Sequence, residues 1–558
     1  MRSCCWLCYC CVGLGRVELL FVARIVVARW ECREVDVRLG NGRGAAAVYR
    51  RGGERGEVVG KTGTQRSGEG WSSGWAVVVK VRVGWWQQMV VLGNEALFTE
   101  CLDLQSNPRY PTSQVTYSQH NSSFTSVLQE YARNIRFLKP EIRKPSFIVT
   151  PKHVSNIVAT IQCCKTHFFE MRIRSGGHDM EGLSFTSNVP FVVLDMFNLR
   201  AINVNLEEET AWVEAGAQLG EVYYKIAEKS SIYAFPGGVC PTVGVAGHLS
   251  GGGYGNLMRK YGLSTDHVID ATVVNANGMV LDREAMGEDM FWALRGGGAA
   301  SFGVILAFKV QLVRVPPVVT VFQVARSLEQ GASRTMYRWQ EVAPNLPKDL
   351  FLRARVSVIK DQKEGSNRLA FTFIALFLGE SKELQDLLTK SFPELGISAK
   401  DCQEMPWINS TLFWDEFPSG TSTEILLSRE YERLSRKVKS DYVTKPIPQE
   451  GAGNLFKIEY DFKWYEEGKE AEEHHIELSR RLYKFMTPYV SNSPREAFYN
   501  YRDLDLGTNT GRFAKTRAEF GSKYHGGNFQ RLLKVKLKVD PLNFFRDEQS
   551  IPPILNLT

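Results

Sequence analysis

Residues 172–184 read RIRSGGHDMEGLS, and residues 237–256 read GGVCPTVGVAGHLSGGGYGN. Each stretch sets one nucleophile-capable side chain, His178 in the first and Cys240 in the second, among glycines. Glycine lacks the Cβ that keeps a ligand off the backbone, so such loops bring main-chain N–H groups close to something anionic. In the first, Ser175, Gly176 and Gly177 can aim amides at a diphosphate, with Arg174 nearby for charge. In the second, Gly251, Gly252, Gly253 and Gly255 let the backbone approach a flat ring or a phosphate. One glycine cluster alone reads as a turn. A lone histidine is usually a satisfied polar residue, and a lone cysteine a small core hydrophobe. Two clusters, each built around a nucleophile, point to one shared ligand.

The flanking sequence is mixed α and β. Thr150-Pro151 makes an N-cap and first-turn pair for a helix carrying Val154, Ile157, Val158 and Ile161 on one face. FVVLD at 191–195 and AWVEAGA at 211–217 read as strands, and Leu219, Val222, Tyr223, Ile226 and Ala227 mark a helical face. DATVVNANGMVLD at 270–282 is a hairpin about Asn277-Gly278. After Pro316-Pro317 the composition shifts to β-rich runs, VVTVFQVA, LFLRARVSV, LAFTFIALFLG and LFKIEYDFKW, separated by charged helical stretches, which predicts a second domain.

With 558 residues, 44% hydrophobic and 23% charged, the chain can bury more than one core. Its net charge of +7 is local: residues 1–90 carry 14 basic against 7 acidic side chains, leaving 54 of each elsewhere. A neutral body argues against nucleic acid as partner. Of 11 cysteines, six fall in the first 32 residues; the remaining five cannot all pair, which suggests one disulfide and at least one thiol kept for chemistry. Asn121, Asn409 and Asn556 begin glycosylation sequons. No apolar run is long enough to span a bilayer. VELLFVARIVVA at 17–28 is a poor signal peptide, interrupted by Arg24. Residues 33–75, rich in Gly and Arg, are expected to hold no fold. GLGRVE at 13–18 and GEVVGKT at 56–62 lack the spacing of a dinucleotide fingerprint and a phosphate loop.

The motifs RIRSGGHDMEGLS, GVCPTVG, GHLSGGGYGN and RKYGL, then GEDMFWALRGGGAASFGVI, NYRDLDLG and DPLNFFRDEQSIPP, occur in the order seen in the plant berberine bridge enzyme-like FAD-linked oxidoreductases. The likeness runs from about residue 95 to 555. It implies an α+β architecture: an FAD-binding domain of the PCMH type made of two α+β parts, and a substrate domain with an antiparallel sheet backed by helices. The boundaries it suggests are an atypical segment 1–92, an FAD domain 93–316, a substrate domain 317–490 and a C-terminal element 491–558 that returns to the FAD domain. It further implies FAD tethered twice, His178 to the 8α-methyl and Cys240 to C6, with Val243, Gly244 and His248 also among the cofactor-binding residues. Two such linkages are expected to make the flavin a stronger oxidant.

An FAD oxidase needs a base for the substrate hydroxyl proton. The resemblance places Lys457, Ile458 and Glu459 on a strand over the flavin, with Glu459 the leading base and Tyr254 and Tyr501 lining the substrate side. Lys457 is expected to lower the pKa of a neighbouring phenol. Read without the resemblance, Glu459 is an outward-facing strand carboxylate and the tyrosines are core. Val243 matches a position tied to oxygen access, which points to O2 as acceptor and H2O2 as product. The resemblance also implies a Cys101–Cys163 disulfide with Cys164 and Cys402 free, a secreted, cell-wall or endomembrane-lumen location, a small-molecule substrate (alcohol, phenol, sugar or alkaloid) and a monomeric chain. Met180 and Phe498 replace tyrosines of the family pattern, which alters recognition of a substrate hydroxyl. After SDYVTKPIPQE at 440–450 several dozen residues of the pattern are missing, which is expected to remove strands and a wall of the substrate pocket. An inactive flavoprotein or a glycan-binding wall protein is therefore the competing reading.

Overall fold

The computed structural model describes residues 35–38, 45–51, 54–61, 78–80 and 86–554, apart from 361–366, 445–455 and 510–511. The signal-peptide candidate at 17–28 and GLGRVE at 13–18 lie outside these residues. Two compact units are present, Met1–Glu95 and Ala96–Thr558.

In the first unit, Val35–Arg38, Ala45–Arg51, Glu54–Lys61 and Val78–Lys80 form an antiparallel sheet in chain order. This corrects the expectation of no fold at 33–75. Arg51 pairs with Glu54 across a Gly-Gly dipeptide, the sequence a two-residue hairpin favours, and Val48, Tyr49, Val58 and Val59 supply the β-propensity. GEVVGK is thus strand, which removes any phosphate-loop reading of it.

In the second unit, Phe191–Asp195 is central to a four-stranded sheet, parallel to both Phe147–Val149 and Glu170–Arg174, with Thr116–Ser118 antiparallel at one edge. All five residues of Phe191–Asp195 are buried, as the unbroken FVVLD run requires of a strand covered on both faces. Burying each of its large apolar side chains contributes about 1.5–3 kcal/mol. Helix Val154–His167 connects two of these strands. Its N-cap is His153, whose ring accepts from Ser155 N–H while Asn156 closes a capping box; Thr150 and Pro151 precede the helix.

A second, antiparallel sheet runs Val280–Leu281, Val268–Val274, Val304–Gln311, Thr210–Glu214, Ile202–Asn205. The hairpin at 268–281 forms, but the connection is five residues long: Asn275 Oδ1 accepts from the Asn277 and Met279 amides, and Gly278 sits at φ +77°. Helix Leu219–Ala227 buries Leu219, Val222, Tyr223 and Ile226.

The third sheet runs Leu350–Lys360, Asn367–Phe377, Val319–Arg326, Cys402–Met405, all antiparallel. Helices Ala332–Val342 and Ser381–Ser391 cover one face, with Trp339, Leu384 and Leu388 packed on Phe322 and Phe373. Ser435–Val443 and Phe456–Trp464 make a separate two-stranded ladder. On the second of these, Phe456, Ile458, Tyr460 and Phe462 pack beside Met486 and Val490, so the alternate residues Lys457, Glu459, Asp461 and Lys463 point the other way. Cys101 and Cys163 are disulfide-bonded, whereas Cys164, Cys240 and Cys402 are free. Among the described residues no helix is long and apolar enough to cross a membrane.

Candidate functional site

The two glycine loops lie backbone against backbone. A Cβ on Gly176 would fall 2.3 Å from Gly244 N, and one on Gly244 would fall 2.2 Å from Gly176 N. Gly177, at φ +70°, would place a Cβ 1.5 Å from the Tyr131 carbonyl oxygen. Gly255 would meet Gly237 O at 1.7 Å, and Gly251 would meet the Asn500 amide at 2.3 Å. These glycines are therefore demanded first by the chain's own packing. Gly247 differs, since a Cβ there would meet nothing within 4 Å, and it lines the cavity.

Arg174 has another task than the one expected of it. It is fully buried, and its guanidinium donates to Asp195 Oδ2 at 3.1 and 2.6 Å and to the Leu128 and Val127 carbonyls, so four of its five N–H donors are spent inside the protein rather than on a pyrophosphate. His248 is likewise tied to its own loop: Nε2 accepts from Gly238 N–H at 3.1 Å and lies 3.0 Å from Ser264 Oγ. Burial pushes its pKa down to about 4, so the ring is neutral.

The loops open onto a cavity of about 1690 Å³ that also receives the Lys457 strand and residues 498–502. His178 Nε2 lies 2.9 Å from Thr242 Oγ1, two residues beyond Cys240, which joins the two loops through side chains as well. Burial, with the Arg133 and Arg436 guanidiniums, holds the His178 pKa well below the usual imidazole range, so the ring keeps a nucleophilic lone pair at neutral pH. Burial pushes the Cys240 thiol up to about 11, and the Asp415 carboxylate adds to the effect.

On the opposite wall, Lys457 Nζ lies 3.9 Å from the Tyr254 ring centroid, 4.1 Å from that of Tyr501 and 4.8 Å from that of Phe498, with no hydrogen-bond partner. Burial lowers its pKa to about 7, despite the nearby Glu459 carboxylate. The two tyrosine hydroxyls are 2.7 Å apart. Neither phenol is acidified: burial pushes Tyr254 up to about 12 and Tyr501 well above its ordinary value, and Glu459 adds to both. The expected help from Lys457 is absent because desolvation outweighs an amine that is itself half neutral at pH 7. Glu459 is an exposed carboxylate on this wall, as is Asp461 two residues on, and Arg436 lies 3.7 Å from Glu459. Phe498, at one of the positions that depart from the family pattern, packs its ring against both tyrosines and brings no hydroxyl.

Two cavity residues escaped the sequence reading. Tyr431 lines the cavity with Cys240, whose charge helps push the Tyr431 pKa up, and its ring lies edge-on to the His178 imidazole with the ring centroids 5.2 Å apart. Asp415, beyond the last turn of helix Trp407–Trp414, has its pKa raised to about 7 by burial and by Glu416. Neither lies in a motif, and no local pattern announces a residue that reaches Cys240 from nearly two hundred positions away.

The NYRDLDLG segment is fixed by buried charges. Lys437 Nζ contacts Glu181 and donates to Asp503 at 2.7 Å; Lys439 Nζ donates to Asp503 at 2.7 Å and to Asp505 at 2.6 Å. Glu181 belongs to the His178 loop, so this network locks that loop, the Ser435–Val443 strand and the Tyr501 segment together. Arg502, bonded to Asp547 at 2.7 Å, extends the lock to the C-terminal stretch.

Residues 145–283 match the FAD binding domain model and residues 497–552 the berberine and berberine-like model. Tetrahydroberberine oxidase from Berberis wilsoniae is 47% identical over 502 residues, covering 82% of this chain and 93% of its own. Since 82% of 558 residues is fewer than 502, that relative carries residues with no counterpart here. The structure of BBE-like 28 from Arabidopsis thaliana superposes with a TM-score of 0.76 at 40% identity, covering 82% of this chain and 99% of that one. Wild-type Phl p 4.0202, a glucose dehydrogenase, superposes with a TM-score of 0.76 at 39% identity, covering 82% of this chain and 100% of that one. An isoleucine-to-valine variant of this grass pollen allergen is a glucose oxidase. With FAD as its cofactor, the chain belongs to the berberine bridge enzyme-like family of FAD-linked oxidoreductases.

Proposed function

We propose that the protein oxidises a small alcohol, phenol, sugar or alkaloid, holds FAD through both His178 and Cys240, and passes the electrons to O2. The observation that carries this reading is that both nucleophiles open onto the same cavity as Lys457, Glu459, Tyr254 and Tyr501. FAD supplies the hydride acceptor. The residues present fit it: a neutral imidazole, a thiol, and a glycine-lined wall that Gly247 leaves open.

Glu459, on the cavity face of the Lys457 strand, takes the substrate hydroxyl proton, while burial keeps both phenols protonated. Tyr254 and Tyr501 share one hydrogen bond, and the phenol that accepts from the other donates its own O–H to a substrate oxygen. Val243, in the cavity wall, leaves O2 room to approach, a role supported by the glucose oxidase behaviour of the valine variant of Phl p 4. Val243→Ile is expected to slow reoxidation of the reduced protein by O2 about tenfold, roughly 1.4 kcal/mol of barrier, in stopped-flow traces; an unchanged rate would move the oxygen path elsewhere. The relatives that oxidise tetrahydroberberine and glucose support an alkaloid or sugar substrate. The Cys101–Cys163 disulfide supports an oxidising, secretory location.

The test is to mix purified protein with alcohols, phenols, sugars and alkaloids in air and measure peroxide. A second reading, an inactive flavoprotein or glycan-binding protein, draws support from one feature. Strand Leu350–Lys360 lies at a sheet edge beside the cavity, with Val356 and Val358 exposed. Retained flavin with no peroxide and no anaerobic bleaching by any of these substrates would favour that second reading.

A further inference from the structure

Tyr431 shares the cavity wall with both proposed flavin anchors. Its phenol faces the Cys240 thiol and partly offsets the burial that raises the thiol's pKa, and its ring meets the His178 imidazole edge-on at 63° between planes. Its own position is set from the far side, where the Arg133 guanidinium lies 5.6 Å from the Tyr431 ring centroid and Arg133 donates to the Arg429 carbonyl at 2.8 Å. Residues 428–434 run from the short helix Thr423–Leu427 into the Ser435–Val443 strand, so this loop is held at both ends.

We propose that Tyr431 is a positioning residue for flavin attachment at Cys240: its hydroxyl orients the sulfur and stabilises the thiolate, while its ring holds the His178 imidazole in place. This rests on the two-anchor reading. Attachment replaces one flavin C–H and the thiol S–H by a C–S bond. Two protons and two electrons leave, and O2 takes them as H2O2, so the thiol must give up its proton at the cavity wall. Tyr431 stays protonated, since burial and the Cys240 charge push its pKa up, and it therefore acts as a donor to sulfur. The other groups that face the thiol are Asp415, which opposes its ionisation, Arg436, Lys463 and Arg133, which favour it, and the Tyr223 phenol.

The experiment compares wild type, Tyr431→Phe and Tyr431→Leu as purified full chains. Peptide masses give the fraction of Cys240 and His178 peptides carrying flavin, and the pH profile of iodoacetamide alkylation is followed on any Cys240 left free. Tyr431→Phe is expected to lower attachment at Cys240 while attachment at His178 persists; Tyr431→Leu, which removes the ring, lowers both. Where wild type carries no flavin on Cys240, the two-anchor reading fails. Tyr431 is then tested by alkylation alone: near pH 9 the Phe variant should react about tenfold more slowly, the worth of one hydrogen bond to a charged group. Full attachment at Cys240 in Tyr431→Phe, or an alkylation profile identical to wild type, overturns the proposal. Should Tyr431→Leu fail to fold, the Phe variant decides.

Discussion

Gly176 and Gly244 touch through their backbones, and a side chain on either one would collide with the other's amide nitrogen. That contact is what sets His178 beside the Cys240 loop. Gly244 has φ −68°, a value any residue adopts, so a substitution there acts through the clash alone. Gly244→Ala is expected to cost about 1–3 kcal/mol in urea unfolding, the usual penalty of overpacking, and to reduce flavin retention. A variant as stable as wild type with full flavin content would mean that the loops part without consequence.

Glu459 is the proposed base, and the two phenols are held protonated by burial. Glu459→Gln is expected to slow anaerobic flavin reduction by a substrate about 10²–10⁴-fold, the usual worth of a general base, whereas Tyr254→Phe and Tyr501→Phe do less. If Tyr501→Phe proved the more damaging, the base would be the phenol.

Lys437 and Glu181 are a buried ion pair, each less than a twentieth exposed, within a network that includes Asp503. Removing one partner strands the other in a desolvated site. Lys437→Met should destabilise the protein by about 3–5 kcal/mol, and the double change with Glu181→Gln should recover part of that. Additive losses in the double variant would show that the two residues are not coupled.

His525 is buried against Phe529 and Tyr499, and burial with the Arg502 charge lowers its pKa to about 3. Because the unfolded chain takes up a proton near pH 6.5 and the folded chain does not, stability is full above pH 6.5 and declines as pH falls toward the folded value. The loss from this group reaches about 2 kcal/mol at pH 5. His525→Gln should flatten that part of the stability profile measured by denaturant titration; an identical slope would assign the acid sensitivity to other groups.

The elements that could be read from the chain are those whose pattern is local. FVVLD is an unbroken apolar run and Leu219–Ala227 keeps a helical period, and both form as read. The helix after Thr150-Pro151 forms too, but capped by His153, because the imidazole reaches an amide that the hydroxyl three residues earlier does not. Local reading erred over Arg174, whose partner Asp195 lies across the sheet, and over residues 33–75, where composition masked a Val- and Ala-bearing hairpin. It gave the loop glycines to a ligand, although several are required by backbone contacts with distant segments. Tyr431 and Asp415 were invisible for the same reason: their meaning comes from what the fold sets beside them. The loss expected after residue 450 could be read only against the family pattern.

The central claim is that one flavin is held at two points by His178 and Cys240. The most direct test is to precipitate the wild-type protein with acid, digest it, and weigh the flavin-bearing peptides. The account predicts a single species in which one FAD joins the His178 peptide to the Cys240 peptide. Both peptides at their unmodified masses, with all flavin in the supernatant, would contradict it.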